Sequence, residues 1–336
     1  MTSRPLQIVS TQDHQPSVDF VETARRVLRE NGFDPDFGAA VETQVESTKQ
    51  PASANGVRDL RDLLWSSIDN TESRDLDQLE VAEELSTGAI RILVAVADVD
   101  ALVTKDSPAD SHAQENSTSV YTGVQVFPML PEQFSTNLTS LNENADRVAV
   151  VIENVIEKNG DVSSFDVYRS IVRNKAQLAY DETGDWLENT TGGTVQPPEK
   201  VAKTQGLAVQ LRLQWEAAKR LKAERERNGA LELETIEATP VAKNGRVVDL
   251  TLTHKSAARD LIEDFMIASN IAIAKWLEAR GRSGIRRIVR EPERWARIVE
   301  LASQYGETLP AEPDSLALAK FLAKRRAADP LRFPDL

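Results

Sequence analysis

The chain has 336 residues, 40% of them apolar and 28% charged, which suits a soluble globular protein of one large domain or two ordinary ones. Its longest apolar run, 92–97, is far too short to span a bilayer, and MTSRPLQIVSTQDHQ lacks the apolar core of a secretory signal, so a cytoplasmic location is expected. Forty basic residues against 53 acidic ones give a net charge of −13, which counts against nucleic-acid binding unless RNA follows a local basic groove.

In chain order, 18–31 (VDFVETARRVLREN) reads as a short amphipathic helix with Ser17 as N-cap and Gly32 past its end, and a second helical stretch follows over 36–46. The polar, small-residue stretch STKQPASANG (47–56) reads as a linker, so 1–46 is a small helical N-terminal module and the main domain begins at 57. Segments 90–96, 148–156 and 164–174 read as strands, the last leaning to strand over helix. After Pro197 and Pro198, 201–228 reads as one long charged helix ended by Gly229. Asn244-Gly245 signals a hairpin between LELETI and RVVDLTL. Helices are expected over 256–280, mostly apolar and covered all round, over 292–305 with Pro292 in its first turn, and over 315–327 with an apolar face and no obvious element after it to cover that face. The mixture predicts an α+β fold with a mixed, largely antiparallel sheet flanked by helices.

The densest chemistry lies in LLWSSIDNTESRDLDQLEVAEEL (63–85), where Asp69, Asp75 and Asp77 fall within nine residues. There is no cysteine, and His14, His112 and His254 are scattered, so any hard-metal site must be built from carboxylates. A turn-prone loop can converge several carboxylates on one ion, as Mg²⁺ requires of its oxygen ligands. A short acidic loop is more often a solvated surface loop. This one is framed by Leu63, Leu64, Trp65 and Ile68 before it and RILVAVADV after it, and carboxylates held between core segments need a partner.

These residues resemble the catalytic (RNB) domain of the ribonuclease II family, in a short form without N-terminal cold-shock domains. The family carries Ile-Asp, then Asp-x-Asp-Asp, then a strand ending in Ala-Asp-Val; this chain has Ile68-Asp69, Asp75-Leu76-Asp77-Gln78 and Ala97-Asp98-Val99. The resemblance runs on through SVYTGVQVFPMLPEQFSTNLTSL (119–141), LAYDETGDWLEN (178–189) and LIEDFMIASNIAIA (261–274), covering about 57 to 295. It implies a metal-dependent, hydrolytic 3′→5′ exoribonuclease that degrades single-stranded RNA to 5′-nucleoside monophosphates with Mg²⁺ or Mn²⁺. Asp69, Asp75, Asp77 and Gln78 would hold metal, Asp77 and Glu263 would be catalytic, and Tyr121 and Tyr180 would contact the terminal nucleotides. Gln78 stands where the family has a fourth aspartate, and offers an uncharged oxygen in its place.

Bland readings stand beside these. A tyrosine in a mixed strand is commonly a core residue, and Glu263 suits a helix surface or a core salt bridge. The basic residues of 201–228 interleave with Glu216, Glu224 and Glu226 and suit a solvated face. His112 suits a structural or surface role. The rival from another class is a non-catalytic RNA-binding or interaction protein on the same fold, favoured by Gln78 and by the chain's ending. The resemblance also implies an incomplete domain, because the family's domain continues past the equivalent of Leu336 to a Ser/Ala-Pro-x-Arg-Arg motif, whereas Pro330-Leu331-Arg332 has a different context.

Overall fold

The computed structural model describes residues 19–189, 195–231, 237–243, 246–253, 255–285, 292–329 and 333. Two short helices come first, α1 (Phe20–Glu30) and α2 (Ala39–Ser47). Asp19 caps α1, its carboxylate accepting from the amides of Val21 and Glu22, two of the donors that a helix start leaves free. The expected cap, Ser17, lies outside the described residues. Four strands follow, β1 (Arg58–Asp59), β2 (Ser66–Asp69), β3 (Gln78–Glu84) and β4 (Ile90–Ala97), then α3 (Pro108–Asn116) and a short ribbon of β5 (Val120–Tyr121) and β6 (Val126–Phe127). Strands β7 (Asp146–Ile156), β8 (Val162–Arg173) and β9 (Ala176–Ala179) lead into α4 (Tyr180–Glu188), α5 (Glu199–Lys203) and α6 (Leu207–Arg227). The hairpin β10 (Glu237–Lys243) and β11 (Arg246–Thr253) precedes α7 (Ala257–Ala279), α8 (Trp295–Gln304) and α9 (Ser315–Ala328).

A seven-stranded sheet in the order β1-β8-β7-β4-β3-β2-β9 carries the fold; it is antiparallel except at its two outer pairs, β1 with β8 and β2 with β9. The α+β expectation holds. Period-2 alternation sorts the side chains of β3: Leu79 and Val81 join Trp65, Leu93, Ala95 and Val151 in one core, while Ala82 joins Ile68, Ile92 and Val94 under the helices. That second core is closed by Trp186 and Leu187 of α4, Leu207 and Leu211 of α6, and Leu261 and Phe265 of α7. Full burial of each such aliphatic or aromatic side chain contributes about 1.5–3 kcal/mol, so both faces of the sheet are held. The N-terminal helices pack on α3, where Val41 meets Ala109, Leu130 and Phe134. His112 is buried there, its ring against Phe37 with centroids 4.6 Å apart and its Nε2 2.9 Å from Asn116 Nδ2, which makes it structural.

Several boundaries differ from the sequence reading. The helix expected over 201–228 is two, α5 and α6, because Gly206 sits at φ +84° in the left-handed region and breaks the path. Pro292 precedes α8 instead of lying in its first turn. The apolar face of α9 is covered, since Leu318 and Phe321 pack on Trp295 and Ala302 of α8 and on Leu309. Helix α7 is not covered all round: Glu263, Asn270 and Ile271 are exposed. The Asn244-Gly245 turn lies outside the described residues, but its flanking strands pair antiparallel from Lys243 with Arg246 to Glu237 with Thr253.

Candidate active site

The acidic loop joins two neighbouring strands of the sheet. β2 ends at Asp69 and β3 begins at Gln78, so Asp69, Asp75, Asp77 and Gln78 all lie at one end of the sheet. The loop between them is pinned from several sides. The Leu76 amide donates to Ser140 Oγ at 2.9 Å, that hydroxyl donates to the Arg74 carbonyl at 2.9 Å, and the Leu141 amide donates to the Leu76 carbonyl at 2.8 Å. Leu76 itself is buried in the core. The loop is therefore a built element of the fold, fixed by the Ser-Leu segment at 140–141.

Parallel pairing places Ala179 of β9 opposite Asp69, which sets Tyr180, the first residue of α4, beside the loop. Arg259, in the first turn of α7, lies over the Tyr180 ring with its guanidinium 4.4 Å from the centroid, and donates to Asn70 Oδ1 at 3.1 Å. On the other side the exposed Tyr121 hydroxyl donates to Asp75 Oδ2 at 3.5 Å. Aromatic faces and one cation thus flank the acids.

The electrostatics of this corner are those of acids left without counter-charges. Burial, together with the charges of Asp77 and Asp75, lifts the Asp69 carboxyl to about 7 against the opposing Gln78 amide. Asp77 reaches solvent, yet partial desolvation raises it too, with Asp75 adding to the effect. Glu80, on β3 and fully buried, is pushed well above the usual carboxylate range by burial and then by Asp69 and Asp77. The Tyr180 hydroxyl is raised by burial and by Asp69, Glu80 and Asp77, with Arg259 opposing.

A cation fits this donor set. Asp69 Oδ2 and both Glu80 carboxylate oxygens are buried with no hydrogen-bond partner, and hard divalent ions take oxygen donors of this kind. Among the described residues no three acidic or histidine side chains converge closely enough to hold an ion as they stand. The fit is therefore one of charge and donor chemistry.

The structure brings Asp69, Asp75, Asp77, Gln78, Tyr121 and Tyr180 to one corner. Glu263 is exposed on α7, four residues and so about one turn on from Arg259 on the same helix face. Asp98, at the end of the Ala-Asp-Val strand, is engaged elsewhere: Arg169 Nε lies 2.7 Å from its Oδ2. Sequence reasoning missed two residues. Glu80 falls at a buried parity position of a strand the sequence reading did not predict. Arg259 was legible only as lying one turn before Glu263.

The site is thus an acidic loop between adjacent strands of a mixed, largely antiparallel α+β sheet, edged by two tyrosines. A family model for the RNB domain matches residues 57–334, and the chain belongs to that family. Among its relatives, ribonuclease R 1 of Lactococcus lactis is 29% identical over 306 residues, covering 89% of this chain and 36% of that protein. Ribonuclease R of Escherichia coli is 33% identical over 257 residues, covering 75% of this chain and 31% of the relative. The chain thus spans about a third of the length of these relatives. Mycoplasma genitalium RNase R, solved in complex with ribose-methylated single-stranded RNA, superposes with a TM-score of 0.82 at 23% identity, covering 94% of this chain and 49% of that one. Yeast Ssd1, described as a pseudonuclease, superposes with a TM-score of 0.60 at 16% identity, covering 82% of this chain and 34% of that one.

Proposed function

We propose that this chain carries the catalytic site of a metal-dependent exoribonuclease that hydrolyses single-stranded RNA from its 3′ end to 5′-nucleoside monophosphates, in the cytoplasm. The carrying observation is the corner of uncompensated carboxylates, Asp69 and Asp77 foremost, in a chain of the RNB family whose relatives bear the name ribonuclease R. Asp69, Asp75 and Asp77, with the Gln78 amide oxygen, would hold Mg²⁺ or Mn²⁺. When bound, such ions make a water nucleophilic near neutral pH and offset charge on the phosphate.

The remaining work falls to the protein's own groups. Tyr121 is exposed and offers its face to a base, while Tyr180 is half-buried, with Arg259 already on its ring. Stacking of this kind is sequence-tolerant and contributes about 1–3 kcal/mol per base. Arg259 meets the loop through Asn70 and Tyr180 and supplies positive charge beside the acids for a phosphodiester. Glu263 stands one turn further along α7, exposed and able to accept from a sugar hydroxyl or a water. A 2′-hydroxyl there would distinguish RNA from DNA.

The deciding experiment is degradation of 5′-labelled single-stranded RNA with and without EDTA. A descending ladder that needs Mg²⁺ or Mn²⁺ supports the proposal; intact RNA at every metal concentration overturns it. The second reading, a non-catalytic RNA-binding protein, is favoured by Gln78 in place of a fourth acid and by the likeness to the Ssd1 pseudonuclease. It predicts retained RNA affinity with no cleavage.

A further inference from the structure

A cleft of about 330 Å³ lies between the β7–β8 hairpin, the end of α6 and the middle of α7. Its size is at the small end of the roughly 300–1,000 Å³ that encloses small ligands. The hairpin is fixed against α6, because Gly160, at φ +91°, leaves no room for a side chain: a Cβ there would lie 2.1 Å from the Arg220 carbonyl oxygen. Asp264 of α7 is tied to Arg225 of α6 by an ion pair. The cleft is separate from the acidic loop. β7 stands two strands away from β3, and Ile271, exposed at the rim, is twelve residues beyond Arg259 on α7, roughly 18 Å along the helix.

The polar lining of this cleft is unsatisfied among the described residues. Asn154 of β7 is fully buried, and neither its Oδ1 nor its Nδ2 has a hydrogen-bond partner. Asp264 is buried and meets Arg225 only through its Oδ1, which leaves Asp264 Oδ2 and Arg225 Nε buried and unpartnered. Buried groups of these kinds are ordinarily hydrogen-bonded, so three such side chains around one cleft call for a physical reason. The unmet atoms are two acceptors, Asn154 Oδ1 and Asp264 Oδ2, and two donors, Asn154 Nδ2 and Arg225 Nε. That balance suits neither a simple anion nor a simple cation. It suits a neutral molecule that carries donors and acceptors side by side.

The walls define its shape. Strand register sets Phe165 of β8 directly opposite Asn154, so the two side chains share a face. The Phe165 ring is partly exposed and lines the cleft with Ile267 and Ile271. A primary amide beside an aromatic ring and aliphatic walls is complementary to a flat heterocycle. The amide can pair in two places with the amino group and adjacent ring nitrogen of adenine, and the ring offers a face for stacking.

We propose that this cleft binds an adenine base, its edge read by the Asn154 amide and its face by the Phe165 ring. The site is distinct from the acidic corner, and the proposal holds whether or not the chain cleaves RNA. A free nucleoside and an adenine of an RNA strand present the same edge. The competing account is that enclosed water satisfies Asn154 and Asp264 and that no base enters.

The test is adenosine binding by the whole chain, read by calorimetry. Wild type is expected to bind with a Kd of about 1 mM or below; no binding at about ten times that concentration overturns the proposal. Asn154→Leu keeps the volume and removes the amide, and is expected to weaken adenosine about tenfold or more. Wild-type affinity in Asn154→Leu overturns the proposal. Tyr121→Ala, at the acidic corner, is expected to bind adenosine as wild type does; loss there with none in Asn154→Leu would place the nucleoside on the nuclease site and refute this one. If Asn154→Leu does not fold, Phe165→Ala decides, at a partly exposed position: a loss of about tenfold supports the site, and unchanged binding refutes it. Oligoadenylate and oligouridylate then identify the source of the base. Weakening of oligoadenylate alone in the variant points to a strand, and weakening of adenosine with both oligonucleotides unchanged points to a free nucleoside.

Discussion

Toward the β1 edge of the sheet, Asp146 accepts from Arg61 at 2.9 Å and from Arg173 at 2.5 Å, and the two guanidiniums hold its carboxyl below the usual range. Toward the β9 edge, Asp69 has three acids around it, no arginine on its carboxylate among the described residues, and a carboxyl lifted to about 7. The same sheet therefore carries one acid whose charge is offset by the fold and one whose charge is left open. Offset acids serve stability, chiefly by closing β1, β7 and β8 together. Open acids lower the stability of the folded chain, and groups perturbed in this way cluster at functional sites. This contrast is the physical reason to look for function at Asp69 and not at Asp146.

The sharpest way to break the comparison is to neutralise one acid from each cluster. Asp77→Asn is expected to lower RNA hydrolysis on the order of a hundredfold or more, with folding and RNA affinity nearly unchanged, since it removes charge and little shape. Asp146→Asn is expected to lower the Tm while each folded molecule keeps its rate. Asp77→Asn retaining more than about a tenth of the wild-type rate, a loss smaller than about 1.4 kcal/mol, would return Asp77 to an ordinary loop.

Metal and pH sharpen the contrast further. An ion that binds only the folded chain stabilises it by about 2.7 kcal/mol at a hundred times its Kd, so millimolar Mg²⁺ is expected to raise the Tm of wild type and much less that of Asp69→Asn. In EDTA the signs of the two acids are opposite. Asp69 binds its proton more tightly folded than unfolded, so its stabilisation is complete below the ordinary 3.8 and is lost as pH rises through about 7. Asp146, with a lowered value, contributes above 3.8 and loses that contribution as the solution is acidified. Melting curves from pH 4 to 8 in EDTA are expected to fall less steeply for Asp69→Asn than for wild type; identical slopes would mean that Asp69 is already compensated.

Much of this was legible in the sequence, and the failures have physical causes. The three long strands β4, β7 and β8 announced themselves through β-branched runs, and Ile68-Asp69 with Asp75-Leu76-Asp77 marked the loop. β2 and β9 did not, because each is only four residues long and too short for a period. The break between α5 and α6 hid in a single glycine at positive φ. The cover on α9 could not be read because a helix's own pattern shows its apolar face but not which neighbour packs on it, here the preceding α8. Glu80 was invisible for a different reason: a charge in LEVAE looks solvated until the strand's neighbours on both sides are known.

The smallest expected effect separates the two tyrosines, which the sequence treated alike. Tyr121 is 68% exposed and touches the acidic corner only through a long hydrogen bond to Asp75. Tyr180 packs against the helix-side core and lies under Arg259. Tyr121→Ala is therefore expected to leave the Tm unchanged and to weaken short oligonucleotides by about 1–3 kcal/mol, the loss of one stacked base. Tyr180→Ala is expected to lower the Tm as well, because it leaves a cavity, and to lengthen the final product by loosening the grip on the last nucleotides. Product ladders on denaturing gels, read beside melting curves, check both. Unchanged ladders and affinities for Tyr180→Ala, with only the Tm lowered, would make Tyr180 a core residue and leave Tyr121 as the stacking platform at this site.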